Sequence, residues 1–191
     1  MGWLFKGGKL KAAPAEQAVD KPYVPVPRAL PHASHVEIAA RRSTVGKELR
    51  ARLYLYDDSQ LLISSVSGIA ETGLVTVLTS DVDDEVLGLA VCDHLLAFQR
   101  RSPENLRDDR LADWAVYRAS GAKSGKRFEE KAWMVMIDTI NSAIQFQVRP
   151  RITLHSEIFA GGQSGSDHAN CGATLKRTLL AAKALRAAGL V

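Results

Sequence analysis

Cys92 and His94 form the first pairing that could do chemistry, a thiol nucleophile beside an imidazole base. Two positions apart on a helix they point to different faces, so a triad would have to recruit a distant residue. His155, His168 and Cys171 supply three zinc-type ligands. Their spacing matches no common finger, and no fourth ligand stands near them. The stretch Ser120-Gly121-Ala122-Lys123-Ser124-Gly125-Lys126-Arg127 approaches a phosphate-cradling loop. That pattern needs Gly where Ser120 stands and Ser or Thr where Arg127 stands, so the stretch reads as a basic loop over 121–127. Lys126-Arg127 is answered at once by Glu129-Glu130, and no aromatic-interleaved basic strand or reader motif is present. No metal or other cofactor is therefore expected, and no direct nucleic-acid contact.

Charge distribution is more informative. Residues 1–50 carry nine Lys/Arg against four Asp/Glu, whereas residues 51–100 carry two against eight. Six of those eight acids fall in two clusters, Asp57-Asp58 and Asp81, Asp83, Asp84 and Glu85. Asp57-Asp58 suits a turn and Asp81 to Glu85 suits a helix N-terminus, which accounts for their positions. It does not account for so few bases over fifty residues. The block is the candidate partner-binding surface, because local fields rather than net charge steer encounter.

The elements that would carry these residues repeat. Shifted by 84 positions, Asp83 to Val91 falls on Asp167 to Leu175, with Leu95-Leu96-Ala97 on Leu179-Leu180-Ala181. The apolar stripe Leu87, Val91, Leu95, Phe98 lands on Cys171, Leu175, Leu179, Ala182, each set on one helical face. Upstream of each helix lies a hairpin pattern. Leu53 to Tyr56 and Leu61 to Ile63 flank Asp57 to Gln60, and Trp133 to Asp138 and Ala143 to Val148 flank Thr139 to Ser142. Gly73 to Ser80 reads as a third strand, and Ile152 to Phe159 as its counterpart. Helices are expected over Asp83 to Arg101, over Arg107 to Arg118 and over the C-terminal segment, stopping near Gly189. A Gly/Ser-rich loop is expected at 160–168. The fold class is α+β: an internally duplicated unit of antiparallel strands closed by a helix.

Residues 1–35 form a Pro/Ala-rich tail or strap, with Lys21 to Pro27 favouring extended conformation. Residues 36–191 form one α+β domain of two related halves, about 45–105 and 128–190. Two cysteines imply no disulfide framework, and no stretch has the length of a signal core or a membrane span. A cytoplasmic protein with no membrane partner is the expectation.

The Leu87-Gly88 helix start running into Leu95-Leu96-Ala97, Lys123-Ser124 with Phe128 before a strand, and Ile144 to Pro150 leading to the repeated Gly172 to Leu180 have a resemblance in common. Over roughly residues 45 to 190 the pattern resembles the immunity proteins of bacterial contact-dependent growth inhibition systems. The resemblance implies a protein that binds and neutralises the matching toxin domain of one bacterial effector and catalyses nothing. Asp57, Asp58, Asp81, Asp83, Asp84 and Glu85 would then meet the toxin; a nuclease is the expected toxin, and its substrate cleft must be basic to hold phosphates. Two other classes compete: a small enzyme assembled around His155 and His168, and a nucleic-acid-binding module using the basic tail and the 121–127 loop. The Pro-rich first residues and the net charge of +4 depart from a small acidic inhibitor.

Overall fold

The structure, a computed structural model, describes residues 33–103, 114–141, 143–149 and 159–190. Six strands form one antiparallel sheet: β1 (Arg50–Tyr56), β2 (Gln60–Ser67), β3 (Ala70–Thr79), β4 (Ala132–Ile140), β5 (Ala143–Arg149) and β6 (Ala160–Ser164). Their order across the sheet is β3-β2-β1-β4-β5-β6. Each half is a three-stranded meander, and the halves join where β1 pairs with β4, Leu53 opposite Val135. Helix α2 (Asp84–Leu96) follows β3, and helix α5 (His168–Ala187) follows β6. The arrangement has an approximate two-fold relation that exchanges β1, β2, β3 and α2 with β4, β5, β6 and α5.

Side chains repeat with the backbone. Asp83 caps α2 by accepting from the Glu85 amide, and Asp167 caps α5 by accepting from the Asn170 amide. All eight residues of the two predicted stripes are buried. The helices cross at their first turns. A Cβ on Gly88 would lie 1.8 Å from the His168 carbonyl oxygen, and one on Gly172 would lie 2.0 Å from that of Asp84. Only glycine permits this approach at either point. The duplication expected from the 84-residue shift is thus present in topology, capping and packing.

Two cores sandwich the sheet unequally. Leu53, Leu55, Leu61, Ile63, Val135, Ile137 and Phe146 face the stripes of α2 and α5. On the opposite face Tyr54, Tyr56, Leu62 and Met134 pack with Trp114, Val116 and Phe128. The last three are brought there by Trp114 itself, α3 (Ala115–Ser120) and α4 (Gly125–Lys131). β1 and β2, covered on both faces, are buried nearly throughout, whereas β5 alternates buried with half-buried residues.

Several boundaries differ from expectation. α1 (Ala33–Val45) begins inside the stretch assigned to the tail, packs along α2 and sends Ile38 into the core. α2 ends at Leu96 rather than Arg101, because Gln99 adopts φ 57° and its amide turns back to the Val66 carbonyl. The last three residues of the supposed basic loop belong to α4, started by Ser124, whose hydroxyl accepts from the Arg127 amide. The supposed Gly/Ser loop at 160–168 contains β6. All but the last residue of the strand expected over Ile152 to Phe159 and the N-terminal part of the helix expected from Arg107 fall outside the described residues, as does most of the tail. α5 stops as expected, with Gly189 at φ 70°. Among the described residues no helix is long and apolar enough to cross a membrane.

Candidate functional site

The β1–β2 hairpin turns through Asp57 and Asp58, both at positive φ (50° and 58°), a conformation Asp tolerates better than most residues. The Ser80 amide donates to the Ser59 carbonyl at 2.8 Å, which ties the end of β3 to that turn. The two acidic clusters therefore lie at one end of the sheet. Asp81 is fully exposed, and a hydrogen bond from the Thr79 side chain holds its carboxyl below the usual range. Asp83 is occupied as the α2 cap, 2.8 Å from the Glu85 amide, while the Glu85 side chain is exposed.

Bases absent from the acidic stretch arrive from elsewhere. Lys131 Nζ lies 2.5 Å from Asp57 Oδ1, Lys183 Nζ 2.7 Å from Asp58 Oδ1, and Lys176 Nζ 2.7 Å from Asp84 Oδ1. Lys176 also donates to the Val82 carbonyl. The six acids are answered by three lysines, so the end of the sheet keeps an acidic excess about half as large as the sequence block suggests. Partly exposed pairs of this kind contribute about 0–1 kcal/mol each and leave their carboxylates accessible to a partner.

Between this hairpin and α5 runs an open groove of about 260 Å³. Leu55, Leu61 and Leu179 line it from the core, and Asp58, Ser80, Lys176 and Lys183 contribute polar groups. Leu180 completes the lining yet is 64% exposed. Of the six predicted residues, Asp58 lines the groove, Asp84 borders it through Lys176, and Asp57, Asp81, Asp83 and Glu85 stand around the same end. Sequence reasoning missed Lys176, Leu180 and Lys183. Their spacing of four and three was the available signal, since it sets them on one face of α5 beside the buried stripe.

The other candidate chemistry is held in structural contacts. His94 is 3% exposed, with Nδ1 2.7 Å from Ser65 Oγ and Nε2 2.9 Å from Thr76 Oγ1. Burial depresses its pKa from 6.5 to about 4, so it sits neutral between two hydroxyls. Cys92 and Cys171 are free, buried thiols. A hydrogen bond with Cys171, then burial, pushes the Cys92 thiol up and away from the thiolate form. His155 lies outside the described residues, and His168 opens α5 with its carbonyl against Gly88. Among the described residues no group of three or more His, Cys, Asp or Glu could hold a metal ion. A buried network that the sequence did not suggest centres on Glu71. Its Oε1 accepts from Tyr54 OH at 2.5 Å and its Oε2 from Trp114 Nε1 at 2.8 Å. Arg52 Nη1 stands 3.4 Å from Oε1.

No family model matches the chain, and no curated protein does. Solved chains do resemble it, among them the following two. One is a protein of unknown function from Neisseria meningitidis, 18% identical, TM-score 0.47, covering 71% of this chain and 95% of that one. The other is a chain of the CdiA-CT/CdiI toxin and immunity complex from Yersinia pseudotuberculosis, 16% identical, TM-score 0.48, covering 71% of this chain and 97% of that one. These likenesses concern the course of the chain, not its side chains.

Proposed function

We propose that this protein is a cytoplasmic immunity protein that binds a matching bacterial toxin domain and blocks it, with no turnover of its own. The observation that carries the reading is the open apolar groove at the acid-rich end of the sheet. One end of the sheet gathers Asp57, Asp58, Asp81, Asp83, Asp84 and Glu85 beside an apolar cleft whose charged lining is Asp58, Lys176 and Lys183 and whose Leu180 is left in solvent. A charged rim about an apolar centre is the arrangement of a protein-binding surface, in which charges steer encounter and the desolvated centre holds the complex. The excess of acids over lysines at that end of the sheet disfavours a phosphate backbone, so the fitting partner is a basic protein. A nuclease must present a basic cleft to its substrate and meets that requirement.

Co-expression with the protein encoded immediately upstream tests the reading. The expected result is a one-to-one complex by light scattering after gel filtration, and survival of cells exposed to the toxin. Separate elution of the two proteins together with unprotected cells would sink it.

A further inference from the structure

The two-fold relation between the halves predicts a second groove, between the β4–β5 hairpin and the outer side of α2. In the structure α1 fills it. His35, Ile38, Ala39 and Arg42 of α1 face Asn141, Ala143 and Ile144 at the β4–β5 end. Ala40, Arg41 and Thr44 lie along Leu96 and Ala97 of α2. Ile38 is buried in the core and Val45 packs against it. Arg41 donates to the Phe98 carbonyl at 2.6 Å, and Arg42 pairs with Glu48. The filler is thus an amphipathic helix with aliphatic residues inward and arginines on its flank.

The equivalent groove in the first half is the open one. Leu96 and Leu180 correspond under the 84-residue shift, and Leu61 lies close to the counterpart of Ile144. Leu96 is partly covered and packed against the core, whereas Leu180 stands 64% exposed. The charged lining of the open groove is Asp58, Lys176 and Lys183, and Asp81 and Glu85 stand exposed in the β3–α2 connection and first turn of α2 that follow its Ser80. From this pairing we infer that the open groove receives an amphipathic helix of the toxin domain. That helix places an aliphatic side chain against Leu180, Leu179 and Leu61, and Lys or Arg side chains toward Asp58, Asp81 and Glu85. It plays against α5 the part that α1 plays against α2. The inference rests on the immunity reading and specifies which surface is used and what enters it.

The test uses the full chain with the upstream-encoded toxin domain, inactivated at its catalytic centre. Leu180→Arg changes an exposed side chain, so its melting temperature should match wild type, while its affinity for the toxin domain should fall at least ~100-fold. Ile69→Arg, at the opposite end of the sheet and 78% exposed, serves as the control and should bind within ~2-fold of wild type. A photo-crosslinking amino acid at position 180 should capture a toxin segment with helical aliphatic spacing and flanking Lys or Arg. Wild-type affinity for Leu180→Arg overturns the groove assignment and leaves the immunity reading standing. So does a crosslink to a strand or loop, within the same chain, or to a second copy. Absence of any complex with the wild-type protein overturns both.

Discussion

Gly88 meets the carbonyl of His168 with no room for a methyl group, and the reciprocal contact of Gly172 with Asp84 is made by the same crossing. Since backbone faces backbone at both points, neither can yield without moving a helix. Gly88→Ala and Gly172→Ala should each destabilise by about 3 kcal/mol, as overpacking in a closed core does. The double variant should cost less than the sum, because the first substitution already parts the helices for the second. Urea unfolding of the four proteins measures this, and full additivity would contradict a shared crossing.

Acid should weaken the protein through His94. Its folded pKa of about 4 lies below the unfolded value near 6.5, so the unfolded chain binds the extra proton between them. The contribution is fully present above pH 6.5, declines as pH falls and is gone below about pH 4, a loss approaching about 3 kcal/mol. His94→Gln should flatten the stability profile across that window, and an unchanged slope would show that other groups set it.

Glu71 holds the second core. Glu71→Ala removes the acceptor for Tyr54 OH and Trp114 Nε1, both buried, and the ion-pair partner of Arg52. A cost of about 3–5 kcal/mol is expected, against about 1 kcal/mol for Tyr54→Phe, which leaves the Trp114 bond intact. Chemical unfolding followed by tryptophan fluorescence separates the two. Equal effects would mean that Glu71 matters only through Tyr54.

Rim charge should act on association kinetics. Asp81 and Glu85 are exposed, so reversing both to Lys spares the Asp83 cap and the lysine pairs. The rate of binding the toxin domain should fall roughly tenfold at low salt and converge with wild type near 0.5 M salt. Rates that match at every ionic strength would assign these acids to local structure alone.

The repeat was legible because its signals are local and strong. Alternation marked the hairpins, and a four-residue apolar stripe survived the shift from one helix to the other. α1 was hidden because only Ile38 enters the core, and its polar sequence follows a Pro-rich stretch. β6, Ala-Gly-Gly-Gln-Ser, has no strand formers. It is strand because α5 presses on it: a Cβ at Gly162 would sit 2.1 Å from Thr178 Oγ1, so packing selects what propensity does not. The six acids were singled out from charge alone. Their lysine partners were not, since each is brought in by the sheet seam or by α5 rather than by a neighbour in sequence.

The seam where β1 meets β4 also constrains how the chain becomes a protein. β1, β2 and β3 pair by short turns and can assemble as soon as they are made. The other edge of β1 stays unpaired until β4 emerges, after α2, α3 and α4 have been synthesised. During that interval Leu53 and Leu55 lie beside a bare row of amides and carbonyls, the sort of edge that recruits strands from other chains. The slow step is therefore the meeting of two half-sheets across a long loop closure. Conditions that prolong it should favour aggregation through β1, the strand that ends at the centre of the folded molecule.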